Sequence, residues 1–390
     1  MAIAFNRLIK KINTLNPAVE HWHDSTDKNY RVIVLSSEYK SRAGGIANAM
    51  HGYLSALKLQ GLLFSHISTH TSGSIMGKAL PPIFALFKLR KEVSTIKKLG
   101  FIPVAYAHAG ESFSLLRKTI LLSIAKLFGA KTVLHLHGGN VEYWLNHFFS
   151  RSLFFILLSS ADSICVLSDH RKNILTKFDR IKLLNVVHNP ISIKLENDKN
   201  LLNLKKASSS NSITILTMSR LEKGKGIDVT IKALSKLPSN YNLTIAGSGS
   251  QFKHLKRMVN TLGLCKRVTF TGWVEGEDKY SLFRKSDIFC LPSHYDSFGL
   301  VFLEAMYFEL PIIASKWGAI PEVVPDGVAG ILVDGQCDLK ISQAIMCLEN
   351  PKVRLKIGTE GKEWAMRQFS ISAVGEALKK AISMSKSSQL

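Results

Sequence analysis

The sequence predicts an α/β protein built on parallel sheets. Ile288–Leu291 is a short apolar run typical of a buried strand, and residues 292–299 form a loop rich in Pro, Ser, Asp and Gly. An apolar helical segment, Leu300–Tyr307, and a second apolar run, 311–314, complete a strand–helix–strand unit. The same order of strand, glycine-containing loop and helix begins at Arg31–Ser36. At 390 residues, the chain is long enough for two domains of roughly 150–200 residues each.

The composition gives no sign of a metal centre or a disulfide framework. The five cysteines are scattered without a Cys-x-x-Cys spacing, which is typical of a reducing compartment and argues against a zinc site. There is no Asp-x-Asp pair, so we expect neither a bound divalent metal nor a cofactor. The sequence contains no uninterrupted run of ~18 apolar residues, so no membrane-spanning helix is predicted. The N-terminus has no apolar segment of signal-peptide length.

The net charge of +22 is the most unusual global property. Residues 1–200 carry 26 Lys/Arg and 12 Asp/Glu, so most of the excess lies in the first half. Nucleic acid or an anionic membrane surface would explain it, and simple solubility is the third interpretation. Because there is no helix-turn-helix signal, aromatic RNA-binding strand or zinc finger, we expect no nucleic-acid partner.

Two predicted helices carry much of this charge. Pro81–Leu99 and Phe113–Phe128 combine apolar positions with many Lys and Arg residues, which suits an anionic lipid surface. A solvated basic face is the alternative. Residues 1–29 also have apolar side chains at helical spacing, which predicts either a short interfacial helix or one that packs on its own domain.

The junction between the 292–299 loop and the following helix is a predicted phosphate site. The first N–H groups of a helix have no partner inside it, and the helix dipole adds positive charge there. Small residues let a phosphate approach, and Ser297, Phe298, Gly299 and Leu300 lie at this end. Asp296 precedes the helix and Glu304 lies within it, so two carboxylates can reach different parts of one ligand.

The segment PSHYDSFGLVFLEAM, residues 292–306, together with PEVVPDGVAG, residues 321–330, resembles the signature of glycosyltransferase family 4. The resemblance implies a GT-B fold and retaining transfer from a nucleotide sugar. The family has an E-x7-E motif, in which the second acid holds the donor ribose and the first acts at the donor sugar. Glu304 matches the second acid, and Asp296 replaces the first Glu with a shorter side chain. A helix N-cap is the alternative interpretation of Asp296.

Residues 219–228, SRLEKGKGID, follow the strand predicted at Ile213–Met218 and resemble the family's G-R-L-x-x-x-K-G-x-D segment, with Ser219 in place of Gly. The resemblance implies that Arg220 and Lys225 flank the donor diphosphate, where fixed positive charge stabilises a departing nucleoside diphosphate. A solvated basic turn is the alternative. The Trp273–Val274 turn lies where such enzymes contact the nucleotide base.

Two features of the first half add to the expected site. Gly44 and Gly45 lie between a strand and a helix, and the family has a glycine pair here near the donor phosphates. A tight turn is the alternative. His137 lies at the carboxyl end of the strand Thr132–His137, where open α/β sheets bind ligands. The resemblance implies that it contacts the donor sugar, and a structural histidine is the alternative.

The expected organisation is two Rossmann-like domains whose parallel sheets face a central cleft. We assign residues 1–195 to an acceptor-binding domain and 196–211, which are polar, to a linker. Residues 212–368 form the nucleotide-sugar domain, and 369–390 form a helix that returns to the first domain.

The function expected from the resemblance is retaining transfer of a sugar from a UDP- or GDP-sugar to a glycan or lipid-linked acceptor. The basic helices favour a cytoplasmic protein, peripheral on the inner face of the membrane, in surface-polysaccharide, lipopolysaccharide or O-antigen synthesis. A fold alone does not fix a function. A nucleotide-sugar epimerase, a basic nucleic-acid-binding protein and a non-catalytic partner subunit are the rival hypotheses.

Overall fold

The computed structural model describes residues 29–36, 45–69, 75–110, 112–138, 141–181, 183–191, 212–294, 296–335 and 337–384. It divides into two compact units. The first contains the chain up to Leu167, then Lys172–His188, and then the chain from Val374 onward. The second contains Ser168–Arg171 and Asn189–Ala373. Each is an α/β unit with a parallel sheet.

The described strands of the first unit form one parallel sheet in the order β2-β1-β3-β4-β5-β6. Most of its residues are fully buried because helices cover both faces of a parallel sheet. The strands are β1 Tyr30–Ser36, β2 Leu63–Ser68, β3 Ile102–Ala109, β4 Lys131–Leu136, β5 Ser163–Val166 and β6 Leu184–Val186.

The helices of the first half connect these strands. Five of them, α2 to α6, send apolar side chains into the same core cluster as one face of the sheet. They therefore form a single layer on that face. The helices are α1 Gly45–Leu59, α2 Ile75–Lys98, α3 Ser112–Leu127, α4 Val141–Asn146, α5 Phe148–Leu158 and α6 Asp169–Thr176.

The second unit repeats the architecture, with a parallel sheet in the order β12-β11-β10-β7-β8-β9 across the described strands. Its strands are β7 Ile213–Met218, β8 Tyr241–Ala246, β9 Val268–Gly272, β10 Ile288–Leu291, β11 Ile312–Ser315 and β12 Gly330–Val333. The helices that follow are α7 Ile227–Ser235, α8 Phe252–Thr261, α9 Gly276–Arg284, α10 Leu300–Tyr307, α11 Ile320–Val323, α12 Asp338–Cys347, α13 Pro351–Phe369 and α14 Ile371–Met384.

The last helix joins the first unit, as the sequence predicted for its final segment. From Val374 onward α14 belongs to that unit, and Gly375 packs on Gln60 and on the backbone of Ala56 in α1. In the structure, the main boundaries between the two units lie at Asn189 and Val374. The sequence predicted the end of the first domain at residue 195 and the start of the returning helix at residue 369. The predicted 196–211 linker lies outside the described residues, as do residues 1–28.

The α/β class and the strand–helix–strand unit of residues 288–314 are confirmed, because β10 and β11 pair in parallel around α10. The predicted helix start at Pro81 is wrong. The helix α2 begins at Ile75, so the two prolines lie beyond its first turn and leave backbone carbonyls there without an N–H donor. No helix in the described part of the chain is long and apolar enough to cross a membrane.

Candidate active site

Gly299 is the N-cap of helix α10 and has a left-handed backbone with φ of 80°. A Cβ atom at this position would lie 2.4 Å from Cδ2 of Phe302, so only glycine fits without a shift. No side chain caps this helix end, which leaves its first N–H groups available to an anion. Asp296 is therefore not the N-cap, and that interpretation of Asp296 is wrong. Phe298 is buried and packs edge-on against Phe369.

Asp296 instead pairs with Lys225. The Lys225 ammonium donates to Oδ1 of Asp296 at 2.9 Å, and both side chains are largely buried. The other carboxylate oxygen, Oδ2, is buried and has no hydrogen-bond partner among the described residues. The two motifs found separately in the sequence thus form one charged pair with an unsatisfied acceptor oxygen.

The loop that carries Lys225 is held against the strand end of β10. Gly226 has φ of 75°, and a Cβ there would lie 2.4 Å from the carbonyl oxygen of Pro292. The His294 N–H donates to the Gly224 carbonyl at 2.9 Å. This close backbone approach brings Lys225 to Asp296.

Glu304 lies further along α10 and pairs with a different lysine. Lys279, from α9, donates to its Oε1 at 2.6 Å, and both side chains are mostly buried. Sequence reasoning missed Lys279, because no motif places it near Glu304. Each acid of the predicted motif therefore pairs with a different lysine, Asp296 with Lys225 and Glu304 with Lys279.

Arg220 is exposed just beyond β7, in contrast to the buried Lys225. Its neighbour Glu222 accepts from the Ser250 hydroxyl at 2.6 Å and from the Ser250 N–H at 3.1 Å. These hydrogen bonds, and then the charge of Arg220, lower the pKa of Glu222. The turn after β9 leaves Trp273 exposed, with its indole N–H donating to Glu275 at 2.9 Å.

In the first unit, His137 lies at the carboxyl end of β4, as predicted. Its N–H donates to the Ala109 carbonyl at 2.8 Å, and its Nε2 lies 2.9 Å from Nδ1 of His108. His108 was not identified from the sequence, where it is one residue of an apolar strand. Its Nε2 is buried without a hydrogen-bond partner among the described residues.

A third histidine, His135, completes this cluster from deeper in β4. Its Nε2 donates to the Val187 carbonyl at 3.0 Å, so its Nδ1 accepts from the Tyr106 hydroxyl at 2.7 Å. Burial lowers the pKa of both His135 and His108 well below the ordinary histidine value, and the adjacent imidazoles lower each pKa further.

One ring nitrogen from each of His108, His135 and His137 lies within 4.8 Å of the other two, a spacing compatible with a metal ion. Both nitrogens of His135 already have partners, however, and His108 and His137 bond to each other. As arranged, these side chains form a buried cluster held by hydrogen bonds.

Six of the predicted site positions lie on the α10 loop and helix: Asp296, Ser297, Phe298, Gly299, Leu300 and Glu304. Lys225 joins them through Asp296, while Arg220 lies in the same unit without a described contact to Asp296. His137 belongs to the first unit. Gly45 starts α1, and Gly44 lies outside the described residues.

Comparison with protein families identifies the region that carries these features. Residues 198–364 match the family described as "Glycosyl transferases group 1". This span contains Arg220, Lys225, Asp296 and Glu304. The match covers most of the second unit. The expected family relationship is confirmed at the level of group 1.

The chain has curated relatives and solved structural neighbours. The chain is 30% identical over 180 residues to the GDP-mannose-dependent alpha-(1-6)-phosphatidylinositol monomannoside mannosyltransferase of Mycolicibacterium smegmatis, which covers 43% of this chain and 47% of the relative. It thus spans about half the length of that curated relative, and 31% of an uncharacterised glycosyltransferase from Methanocaldococcus jannaschii.

The structural likeness covers both units. The crystal structure of HepE from Anabaena in complex with UDP matches 90% of this chain and 99% of that one, with a TM-score of 0.69 and 20% identity. Sucrose-phosphate synthase from Thermosynechococcus elongatus matches 90% and 98%, with a TM-score of 0.68 and 20% identity. These likenesses confirm the two-domain α/β fold of GT-B type.

Proposed function

We propose that this chain is a retaining glycosyltransferase that transfers a sugar from a nucleotide-sugar donor. One observation carries the proposal: the Lys225–Asp296 pair lies beside an uncapped helix start and keeps one buried carboxylate oxygen without a described partner. A buried acceptor without a donor costs free energy unless a ligand satisfies it. A sugar hydroxyl would satisfy Oδ2, and a phosphate would satisfy the helix N–H groups.

We assign the binding of each part of the donor to residues of α10, the loop before it and the loop after β7. The backbone at Ser297–Gly299 and the side chains of Arg220 and Lys225 bind the diphosphate. Glu304 accepts from the ribose hydroxyls, and Lys279 holds its carboxylate in place. We expect a UDP- or GDP-sugar, since the relatives and neighbours named above include a GDP-mannose-dependent enzyme and a UDP complex.

Catalysis in this proposal depends on stabilising the leaving group. The bond between the anomeric carbon and the diphosphate oxygen breaks, and the acceptor oxygen bonds to the same face of that carbon. The acceptor proton passes to the departing phosphate oxygen. Arg220, Lys225 and the α10 N-terminus stabilise the charge that develops on the diphosphate, the role a divalent metal has in other transferases.

Asp296 orients the donor sugar in this scheme, and a sugar contact of His137 stays a prediction of the family resemblance. Asp296 is not assigned as a glycosidase-type nucleophile, because the sequence pattern supplies no second carboxylate as general acid. The hydrogen bond with His108 holds the His137 ring in one orientation.

The acceptor is proposed to be a glycan or a lipid-linked sugar in surface-polysaccharide, lipopolysaccharide or O-antigen synthesis. The excess positive charge of residues 1–200 and the basic helix α2 support an acceptor presented at an anionic membrane. We place the protein at the cytoplasmic face of that membrane, as a peripheral protein.

A transfer assay tests the proposed function. Purified protein is incubated with labelled UDP- and GDP-sugars and a panel of lipid-linked acceptors, and the anomeric configuration of any product is determined by NMR. The proposal predicts product with the donor's configuration. An inverted product contradicts retention, an epimerised free nucleotide sugar favours the epimerase, and no turnover with any pair favours a non-catalytic subunit.

A further inference from the structure

The helical layer on one face of the first unit is unusual because its outer surface is apolar. The helices α3 and α5 both fill the core under this layer, with side chains such as Leu122 and Phe154 fully buried. A helix at a protein surface normally turns charged residues outward. Here the outward side chains are also apolar. We call six of them the docking face: Phe113, Leu116, Ile120, Leu127, Phe149 and Ile156.

The spacing on α3 shows that this face is one continuous stripe. Phe113, Leu116, Ile120 and Leu127 recur at helical intervals along one side, and the exposed position between the last two is Ser123. Phe113 and Leu127 are 85% and 80% exposed, so these side chains have few contacts with the described residues of the unit. Since isolated exposed apolar residues are common but an extended patch is not, the stripe marks an interaction surface.

The stripe continues onto the neighbouring helix. The helix α5 packs beside α3 on the same face of the sheet. Its outward residues include Phe149, which is 85% exposed, and Ile156, which is 67% exposed. The outward side chains of two adjacent helices therefore share one surface.

Positive charge borders the docking face. On the α2 side, the exposed cations of the layer are Lys88, Arg90, Lys91, Lys97 and Lys98. On the α5 side, the guanidinium of Arg151 lies 5.8 Å from the ring centre of Phe148. Few acids are described on or next to these helices. Glu92 of α2 accepts a hydrogen bond from Ser65, and Asp162, just beyond α5, pairs with Lys126.

We propose that the docking face binds the surface of an anionic lipid bilayer. Exposed aromatic and aliphatic side chains on helices that lie flat in a layer can enter the boundary between headgroups and acyl chains. Bordering Lys and Arg side chains then contact lipid phosphates, each adding to the attraction. This complementarity of charge favours lipid over a second copy of the chain, because two copies would bring their cations together.

The docking proposal rests on the membrane location given in the proposed function and names the surface that makes the contact. It does not depend on sugar transfer or on the donor site in the second unit. It also differs from the surface predicted from the sequence, which rested on basic residues of two helices. The structure identifies the outward apolar side chains, including those of α5, as the part that enters the lipid.

Vesicle co-sedimentation of the full chain tests this proposal. The vesicles contain phosphatidylcholine alone or phosphatidylcholine mixed with phosphatidylglycerol. We expect wild-type protein to pellet with the anionic vesicles and to be released partly by salt. The variant Phe113→Ser/Phe149→Ser should bind at least about tenfold more weakly, because each ring loses its transfer from water into lipid.

A matched control variant distinguishes loss of the docking face from loss of exposed apolar side chains elsewhere on the protein. Leu339→Ser/Leu355→Ser removes two apolar side chains of the second unit that are 56% and 60% exposed. It should pellet like wild type. All four positions are mostly exposed, so thermal unfolding should be similar in every variant. Equal binding by wild type and the phenylalanine variant, or no wild-type binding, would overturn the proposal.

Two further measurements distinguish lipid docking from the proposed function and from self-association. Nucleotide binding should be unchanged in the phenylalanine variant, and loss of nucleotide binding with intact vesicle binding would affect only the proposed function. Analytical ultracentrifugation reports self-association. A dimer that Phe113→Ser/Phe149→Ser dissociates, without lipid binding by wild type, would show that a second copy covers the face.

Discussion

Lys225 and Asp296 form a buried ion pair, with Nζ 2.9 Å from Oδ1, although 71 residues separate them in the chain. The pair uses only one oxygen of the carboxylate, and Oδ2 is buried with no partner in the described part of the chain. The lysine thus fixes the orientation of Asp296 and leaves its second oxygen free for a ligand hydroxyl. The bond to Lys225 thus holds Asp296 in position, although its side chain is shorter than the Glu of the family motif.

The first prediction concerns Asp296. Asp296→Asn keeps the size but removes the charge that binds Lys225, so donor-sugar binding and transfer should both fall. Hydrogen bonds to charged groups contribute about 1.5–3 kcal/mol, which corresponds to roughly a tenfold to hundredfold loss in kcat/KM. Steady-state kinetics on the transfer reaction measure this. An unchanged kcat/KM would mean that Asp296 only supports the loop.

The second prediction concerns the diphosphate and ribose contacts. Lys225→Ala and Glu304→Gln should each lose most activity while the fold survives, as judged by circular dichroism. Lys256→Ala, which removes an exposed cation of α8, is the matched control and should be normal. Near-normal rates in both site variants would contradict the donor-site assignment.

Lys279 gives a third prediction that sequence comparison did not suggest. Its bond of 2.6 Å to Glu304 fixes the carboxylate that is proposed to hold the ribose. Lys279→Met should therefore raise KM for the donor more than it lowers kcat, because it weakens binding at a group remote from the reacting bond. A fall in kcat alone, with KM unchanged, would contradict this role.

Gly226 gives a fourth prediction. Gly226→Ala places a methyl group against the Pro292 carbonyl and should cost about 1–3 kcal/mol of the free energy of unfolding, with loss of activity. Gly263→Ala is the control, since Gly263 has φ of 68° but nothing lies within 4 Å of its Cβ position. Equal losses in urea unfolding would show that backbone strain alone accounts for the effect.

The fifth prediction is a loss of stability in mild acid. Burial, and then the charges of Lys118 and Lys88, lower the pKa of His66 to about 4, and the pKa values of His108 and His135 are also lowered. Between the unfolded pKa of about 6.5 and these lower values, the unfolded chain binds more protons. The free energy of unfolding should therefore fall as pH decreases, by about 1.4 kcal/mol per pH unit for each such histidine.

Urea unfolding from about pH 7 to about pH 5 measures this slope. His66→Gln removes one of the three groups and should make the dependence shallower. His147→Gln alters an exposed histidine and should leave the slope unchanged. A wild-type stability that does not change across this range would contradict the lowered pKa values of His66, His108 and His135.

The sequence predicted the local elements of the second unit well because its signals are local. Buried parallel strands such as β10 are continuous apolar runs, and Gly299 marks the start of α10. The residue types of Asp296, Glu304 and Lys225 suggested their chemistry. Their pairing did not follow, because it depends on how the loop after β7 meets the end of β10.

Other features depend on packing between distant segments and could not be predicted. The bond from Lys279 to Glu304 joins two helices, and the His108–His137 contact needs β3 and β4 to be neighbours in register. The apolar outer surface of α3 was also hidden, because apolar spacing identifies a helix without showing which of its two apolar faces is covered.

Binding of nucleotides to the second unit tests the central claim most directly. Thermal unfolding of wild type and Lys225→Ala is measured with UDP, GDP, ADP and their common sugars, because a ligand that binds only the folded state stabilises it by about 2.7 kcal/mol at a hundred times its Kd. We predict a clear rise in melting temperature with one nucleotide class for wild type and a much smaller rise for Lys225→Ala. No rise with any nucleotide, or an equal rise in both proteins, would contradict the proposed donor site.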